Sequence, residues 1–317
     1  MQVLIYFFLV GFTFSEKYNL ALLDRSKRGD EFRVWVYFLD KPLTKKINIS
    51  DKTLERRKKC DIQSDNLWYD YEVSEIYKDY ISELGFEILN ESRWLNAVSL
   101  MCNESQLYQL SSLAFVKNIT PVFRYKNSFN KPLKSDYREY DYGDSEEQIQ
   151  QISAHELHNL GFTGQGIRIL VMDTGFDLTH NAFLNINLVG QWDFINNDNE
   201  TANENSDEQN QNQDYHGTAV LSTIAGYDPG NFIGVAFDAE FLLAKTESVS
   251  DEYQGEEDNF IAGLEWGEAN GADIVSSSLG YIDWYDYEDM DGNTAITTNG
   301  IDIAVSLGML CVTAAGN

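Results

Sequence analysis

The stretch Gly164-Gln-Gly-Ile167-Arg-Ile-Leu-Val-Met172-Asp173-Thr174-Gly175 decides how the second half of this chain is read. Ile167–Met172 is mostly apolar and too short for a typical helix, so it reads as a buried strand. The strand runs straight into Asp-Thr-Gly. A carboxylate at the C-terminal end of a buried parallel strand sits where α/β sheets place ligands and catalytic groups. Taken alone, Asp followed closely by Gly is also ordinary turn chemistry. A second, lesser reading of Asp-Thr-Gly is half of an aspartic protease, but that mechanism needs a second such carboxylate. No other Asp-Thr-Gly or Asp-Ser-Gly occurs, and Phe176 stands where those enzymes usually carry Ser or Thr.

Working outward, His216-Gly-Thr218 lies 43 residues after Asp173 and leads into the apolar run Ala219–Gly226. An imidazole opening a helix, beside a glycine that permits close approach, suits a general base. The intervening segment 196–214 is rich in Asn, Gln and acids and reads as a polar loop. Ala236–Thr246 is a further buried strand, 259–270 a helix closed by Gly271, and Ala272–Ser278 a strand entering Leu279-Gly280. Residues 298–307 read as a helix and 309–313 as a strand that runs into Ala314-Ala-Gly-Asn317. Alternating strands and helices predict a parallel α/β sheet covered on both faces.

The first half has a different character. The whole chain carries a formal charge of −28, but residues 1–140 hold 21 Lys/Arg against 19 Asp/Glu. Residues 141–317 hold 2 against 32. Such a break marks two parts with different tasks, and it excludes nucleic acid as a partner, since phosphate binding needs clustered cations. The acidic half reads first as a solubilising surface. Phe32–Leu39 is a strand, 65–84 a helix with an irregular apolar stripe, Phe86–Leu89 and Ala97–Met101 two strands. Asn103 and Gln106 stand at capping-box spacing before the stripe Leu107, Leu110, Leu113, and Phe115–Ile119 closes the segment. Strand, helix, two strands, helix, strand is the split βαβ pattern of a small α+β domain over 30–125. Residues 126–150 read as an exposed linker. Leu4–Phe14 is an apolar run of 11 residues, short of the roughly 20 that a spanning helix needs. With Thr13 and Ser15 at a cleavage site before Glu16, residues 1–15 read as a signal peptide, and the protein as secreted or held at the cell surface. No membrane span is expected. Cys60, Cys102 and Cys311 cannot form a complete disulfide set, although a Cys60–Cys102 bridge stays open.

The segments Asp173-Thr-Gly, His216-Gly-Thr, Ser277-Ser278-Leu279-Gly280 and Ala314-Ala-Gly-Asn317, in that order, resemble the subtilisin-like serine proteases (subtilases). The likeness covers about 150–317. The first domain resembles a subtilase prodomain, and Ile49–Arg57 and Ser92–Ala97 are similar to segments of secreted bacterial members. The resemblance implies an α/β parallel-sheet, subtilisin-like catalytic domain over 151–317, preceded by an inhibitory prodomain. It implies that Asp173 orients His216, that His216 is the base for a serine, and that Asn317 donates to the oxyanion. It also implies that Ser277, Ser278, Leu279 and Gly280 line an extended protein or peptide substrate. Ser276 departs from the Asn often found before the family's Ser-Leu-Gly. The family's nucleophile lies in a Gly-Thr-Ser-x-Ala motif after the asparagine, and these 317 residues contain none. The serine is therefore expected beyond Asn317, the domain here to be incomplete, and the fragment itself to be inactive. The alternative is a non-catalytic, degenerate subtilase that binds peptides. No cofactor is required. A structural calcium is a further expectation, with Asp286, Glu288, Asp289 and Asp291 as candidate oxygen ligands.

Overall fold

The computed structural model describes residues 17–23, 27–28, 31–62, 67–122, 140–249, 256–280, 285 and 287–315. The expected signal peptide, Asn317 and Asp286 lie outside them.

In the N-terminal domain, β1 (Glu31–Phe38), α1 (Asp51–Lys59), α2 (Glu75–Glu83), β2 (Ile88–Ser92), β3 (Ala97–Asn103), α3 (Glu104–Ser112) and β4 (Val116–Pro121) follow in order. The strands form an antiparallel sheet in the order β4-β1-β3-β2. That is the arrangement the split pattern demands. The capping box at Asn103 and Gln106 forms, with reciprocal side-chain bonds to both backbone N–H groups.

The alternation in β1 explains why both of its faces are apolar. Phe32, Val34, Val36 and Phe38 pack with Ile81, Leu107 and Leu110 inside the domain. Trp35, pointing the other way, joins Trp94 and Ala97 in one cluster with Leu170, Met172, Phe260 and Leu264 of the C-terminal domain. The two domains therefore share a core.

The C-terminal domain contains α4 (Glu146–Gln151), α5 (Ala154–Asn159), β5 (Arg168–Asp173), β6 (Asn187–Asp193), α6 (Ser206–Gln211), α7 (Tyr215–Ala225), β7 (Glu240–Lys245), α8 (Glu256–Ala269), β8 (Ile274–Ser277), α9 (Ile296–Ser306) and β9 (Leu310–Thr313). Its sheet is parallel throughout, in the order β9-β8-β5-β7-β6. On β5, Ile169 and Val171 pack toward Leu221 and Ala225 of α7. Leu170 and Met172 face α8 on the other side. An all-parallel sheet covered on both faces is the α/β fold expected.

Three local expectations need correction. Among the described residues of the expected helix 65–84, Glu75–Glu83 is α-helical and Trp68–Asp70 is a separate 3₁₀ turn. Burial of the Asp70 carboxylate against Arg57 holds that turn away from the helix axis. The polar loop 196–214 contains α6, whose N-cap Asn205 accepts from the backbone N–H groups of Asp207 and Glu208. The segment expected as linker to residue 150 is not exposed to its end, because Tyr142 and Ile149 are buried with Ile233 and Phe237. All three cysteines are free thiols.

Charge also holds the domains together. The acidic surplus does not all face water: on α8, Glu256, Glu257, Asp258, Glu265 and Glu268 are buried. Arg56 Nη2 donates to Glu268 Oε1 at 2.6 Å, and Arg57 Nε donates to the same oxygen at 3.1 Å. Arg57 also forks across both oxygens of Asp70 at 3.0 and 2.8 Å. Burial alone would lower the Arg57 pKa, yet these carboxylates hold it above the ordinary value. Further along α8, Glu265 accepts from Ser92 Oγ and the backbone N–H of Trp94, and Asp258 accepts from Arg33 and Ser99. The last carbonyls of α8, orphans by helix geometry, are used too. Glu268 O accepts from Thr53 Oγ1 at 2.7 Å, and Ala269 O from the backbone N–H of Ser50 at 3.0 Å.

Removing one member of such a buried set leaves uncompensated charge. Glu268→Ala is expected to lower the urea-unfolding free energy of the chain by about 3–5 kcal/mol. A loss below about 1 kcal/mol, the range of an exposed ion pair, would contradict the arrangement.

Candidate active site

Asp173 is the last residue of β5 and fully buried. Oδ1 accepts from the backbone N–H of Thr174 at 2.7 Å and from its hydroxyl at 3.2 Å. Opposite it, His216 is the second residue of α7. Its Nδ1 lies 2.6 Å from Asp173 Oδ1. With an acceptor-only carboxylate as partner, Nδ1 carries the proton and donates. The two motifs read from the sequence, 43 residues apart, thus meet in one charge-assisted hydrogen bond.

That contact depends on the absence of a side chain at residue 217. A Cβ on Gly217 would lie 2.2 Å from the carbonyl oxygen of Gly175 and 3.0 Å from Asp173 Cβ. The start of α7 therefore presses directly on the turn after β5. Thr218 locks the same junction, its Oγ1 accepting from the backbone N–H of Asp177 at 2.7 Å while donating to Asp214 O at 2.6 Å.

The expected substrate-binding segment lies beside this pair. Ser277 ends β8, where its strand partners are Met172 on β5 and Thr313 on β9. Its carbonyl accepts from the backbone N–H of Ala314 at 3.0 Å. A cavity of about 300 Å³ opens next to it, lined in part by Leu279, Gly280, Phe260, Thr297, Thr313 and Ala314. The structure thus gathers Leu279, Gly280 and Ala314 around one cavity at the sheet's C-terminal edge. Ser277 itself is buried.

Two ionisable groups near Asp173 carry no signal in the sequence. Lys245 pairs with Asp173 in strand register and is fully buried. Its Nζ lies 2.8 Å from Asp193 Oδ2 and 3.1 Å from Glu208 Oε1. Burial would lower Lys245, but those carboxylates hold its pKa above the ordinary lysine value. Glu247, half-buried two residues on, is pushed up from 4.5 to about 8, first by burial and then by the charge of Asp173. Neither pairing is legible without the fold, because the partners are far apart in the chain.

Among the described residues, Glu288, Asp289 and Asp291 are not among the three carboxylates whose oxygens converge. Glu288 is exposed. Asp291 Oδ1 accepts from the backbone N–H groups of Asn293 and Thr294, both at 2.8 Å, in a local turn. Instead, Asp193, Asp198 and Glu204 bring carboxylate oxygens within 4.8 Å of one another. Asp193, the buried member, already faces the ammonium of Lys245.

Comparison with known proteins places the fold. Residues 164–317 match the subtilase family, and residues 33–139 match the peptidase S8 propeptide domain of Bacteroidota. The chain belongs to the subtilase family. It is 30% identical to subtilisin E of Bacillus subtilis over 246 residues, which is 76% of this chain and 54% of that protein. Against a subtilisin of Bacillus pumilus the identity is 34% over 172 residues, 53% of this chain and 54% of the relative. This subtilase chain thus spans about half the length of the curated relatives it matches. Fervidolysin from Fervidobacterium pennivorans, a keratinolytic enzyme related to subtilisin, shares its fold at a TM-score of 0.56 and 19% identity. The match covers 92% of this chain and 41% of fervidolysin. The epidermin leader peptide processing protease of Staphylococcus aureus matches at a TM-score of 0.56 and 13% identity, over 91% and 61% of the two chains.

The raised Glu247 gives a pH signature with a definite sign. Glu247 stays protonated in the folded chain up to about 8 but ionises near 4.5 when unfolded. Stability is therefore lost progressively as pH rises between those values, because the unfolded chain releases a proton that the folded chain still holds. Glu247→Gln is expected to leave stability unchanged near about pH 4 and to raise it increasingly up to about pH 8, measured by urea midpoints. An equal effect at both ends would contradict the assignment.

Proposed function

We propose that Asp173 and His216 are the orienting carboxylate and the general base of a serine endopeptidase. The observation that carries this reading is the 2.6 Å bond between His216 Nδ1 and Asp173 Oδ1. It fixes the tautomer in which Nε2 carries the lone pair. Nε2 then takes the proton from a serine hydroxyl as the hydroxyl attacks a peptide carbonyl, and returns it to the leaving amine. Asp173 does not itself gain the proton; it stabilises the imidazolium. The serine is supplied from sequence beyond Asn317. The side-chain amide of Asn317 donates to the developing oxyanion, a contribution usually worth about 100- to 1000-fold in rate. Ser277–Gly280 receives the extended substrate by strand addition. These proton transfers run between side chains and call for no cofactor.

The N-terminal domain acts in this reading as the enzyme's own inhibitor and folding partner. Its support is the shared core and the buried Arg56, Arg57, Arg93 and Arg33 contacts to α8. Export through residues 1–15 completes the proposal. Among the described residues no helix is long and apolar enough to cross a membrane.

The test is a longer polypeptide that continues past Asn317. It is expected to cleave an unstructured protein and to react with a peptidyl phosphonate at a serine. His216→Ala is expected to slow that labelling by about 100- to 10 000-fold. A correctly folded full-length chain that contains a serine after this segment, yet neither cleaves nor labels, would overturn the reading.

A further inference from the structure

One side chain near the pair makes bonds that loop packing alone does not require. Gln213 lies three residues before His216, in the polar run Gln209–Asp214, and is only 2% exposed. Its Nε2 donates to the carbonyl of Thr174 at 2.6 Å and to the carbonyl of Glu247 at 2.7 Å. Its Oε1 accepts from the backbone N–H of Val249 at 2.7 Å. Both amide protons and the carbonyl oxygen are thus used.

The identity of the acceptors matters. Thr174 is the residue immediately after Asp173, and its N–H and hydroxyl hold the Asp173 carboxylate. Glu247 and Val249 follow β7, the strand whose Lys245 is in register with Asp173. One amide therefore ties together the turn that carries the carboxylate, the chain leaving the neighbouring strand, and the lead-in to the helix that carries the imidazole. The neighbouring residue makes a contrast. Asp214 closes a ring with Asn203, accepting from its Nδ2 at 2.7 Å and donating its own N–H to Asn203 Oδ1 at 3.1 Å. The bonds of that ring run between Asp214 and Asn203 and do not reach Thr174, Glu247 or Val249, the three residues that Gln213 joins.

We propose that Gln213 is a positioning residue for the Asp173–His216 pair: it sets the start of α7 against the turn after β5, and so fixes the imidazole on the carboxylate. This rests on the reading of the pair as the acid–base machinery, but the geometry is testable without turnover. A side chain with one donor and no acceptor, or with two acceptors, cannot replace it. Gln213→Glu keeps the volume and places an acceptor against two carbonyl oxygens; Gln213→Ala removes all three bonds.

The experiment uses the 317-residue chain and follows the Nδ1 proton of His216 by NMR, a far-downfield signal when that proton is held by a buried carboxylate. Both Gln213 variants are expected to lose or shift this signal, with the Val249 amide exchanging at least about tenfold faster. Asn203→Ala is expected to keep it. An unchanged signal in the Gln213 variants overturns the inference alone, as does equal loss in Asn203→Ala. Absence of the signal in the parent chain overturns the proposed pairing, and the inference with it. Should neither Gln213 variant fold, the parent chain decides. Gln213 side-chain protons that exchange as slowly as the β5 amides uphold the clamp, and freely exchanging ones refute it.

Discussion

A carboxylate with no access to water has to be met by a donor, and Asp173 is in that position at the end of the central strand. Its Oδ1 is held by the Thr174 backbone, the Thr174 hydroxyl and the His216 imidazole. Much of the local sequence follows from that one requirement. β5 must be short and apolar to bury the carboxylate, α7 must begin where the sheet ends, and residue 217 must lack a side chain so that the two can touch. In the proposed reading, an imidazole already oriented by the carboxylate needs little reorganisation to accept a proton.

The same balance of buried charge organises the larger scale. α8 carries acids on faces that would be unstable if left bare, and the N-terminal domain covers them with arginines and backbone donors. The sharp charge difference between the halves of the chain is thus in part an internal match rather than a solvated surface. It also explains why the two domains adhere through a shared core and ionic contacts together. Apolar area supplies the attraction, and the charge pairs, which gain little net energy when satisfied, penalise any other seating.

Much of this was legible in the sequence. The β5 run ending in Asp173, the capping box at Asn103 and the alternation of strands and helices all depend on neighbours a few residues away, so local pattern reports them faithfully. The Asp173 and His216 pair was legible because each sits in a short motif whose glycine has a steric reason to be there. What escaped depends on distant partners. The helix expected over 65–84 gave way because Asp70 turns toward Arg57. Lys245, Glu247 and Gln213 look like ordinary members of a strand and its polar loops until the fold brings Asp193, Asp173 and Thr174 beside them. In the acidic run at 285–293, Asp291 spends an oxygen on its own turn, a local bond that the run of acids does not reveal.

The most direct measurement is a double-mutant cycle between Asp173→Ala and His216→Ala, by urea unfolding of the 317-residue chain. A charge-assisted hydrogen bond to a fully buried carboxylate should give a coupling free energy of roughly 1.5–3 kcal/mol. Single-mutant costs that add to within about 0.5 kcal/mol would mean the two side chains do not meet, and the account would fail.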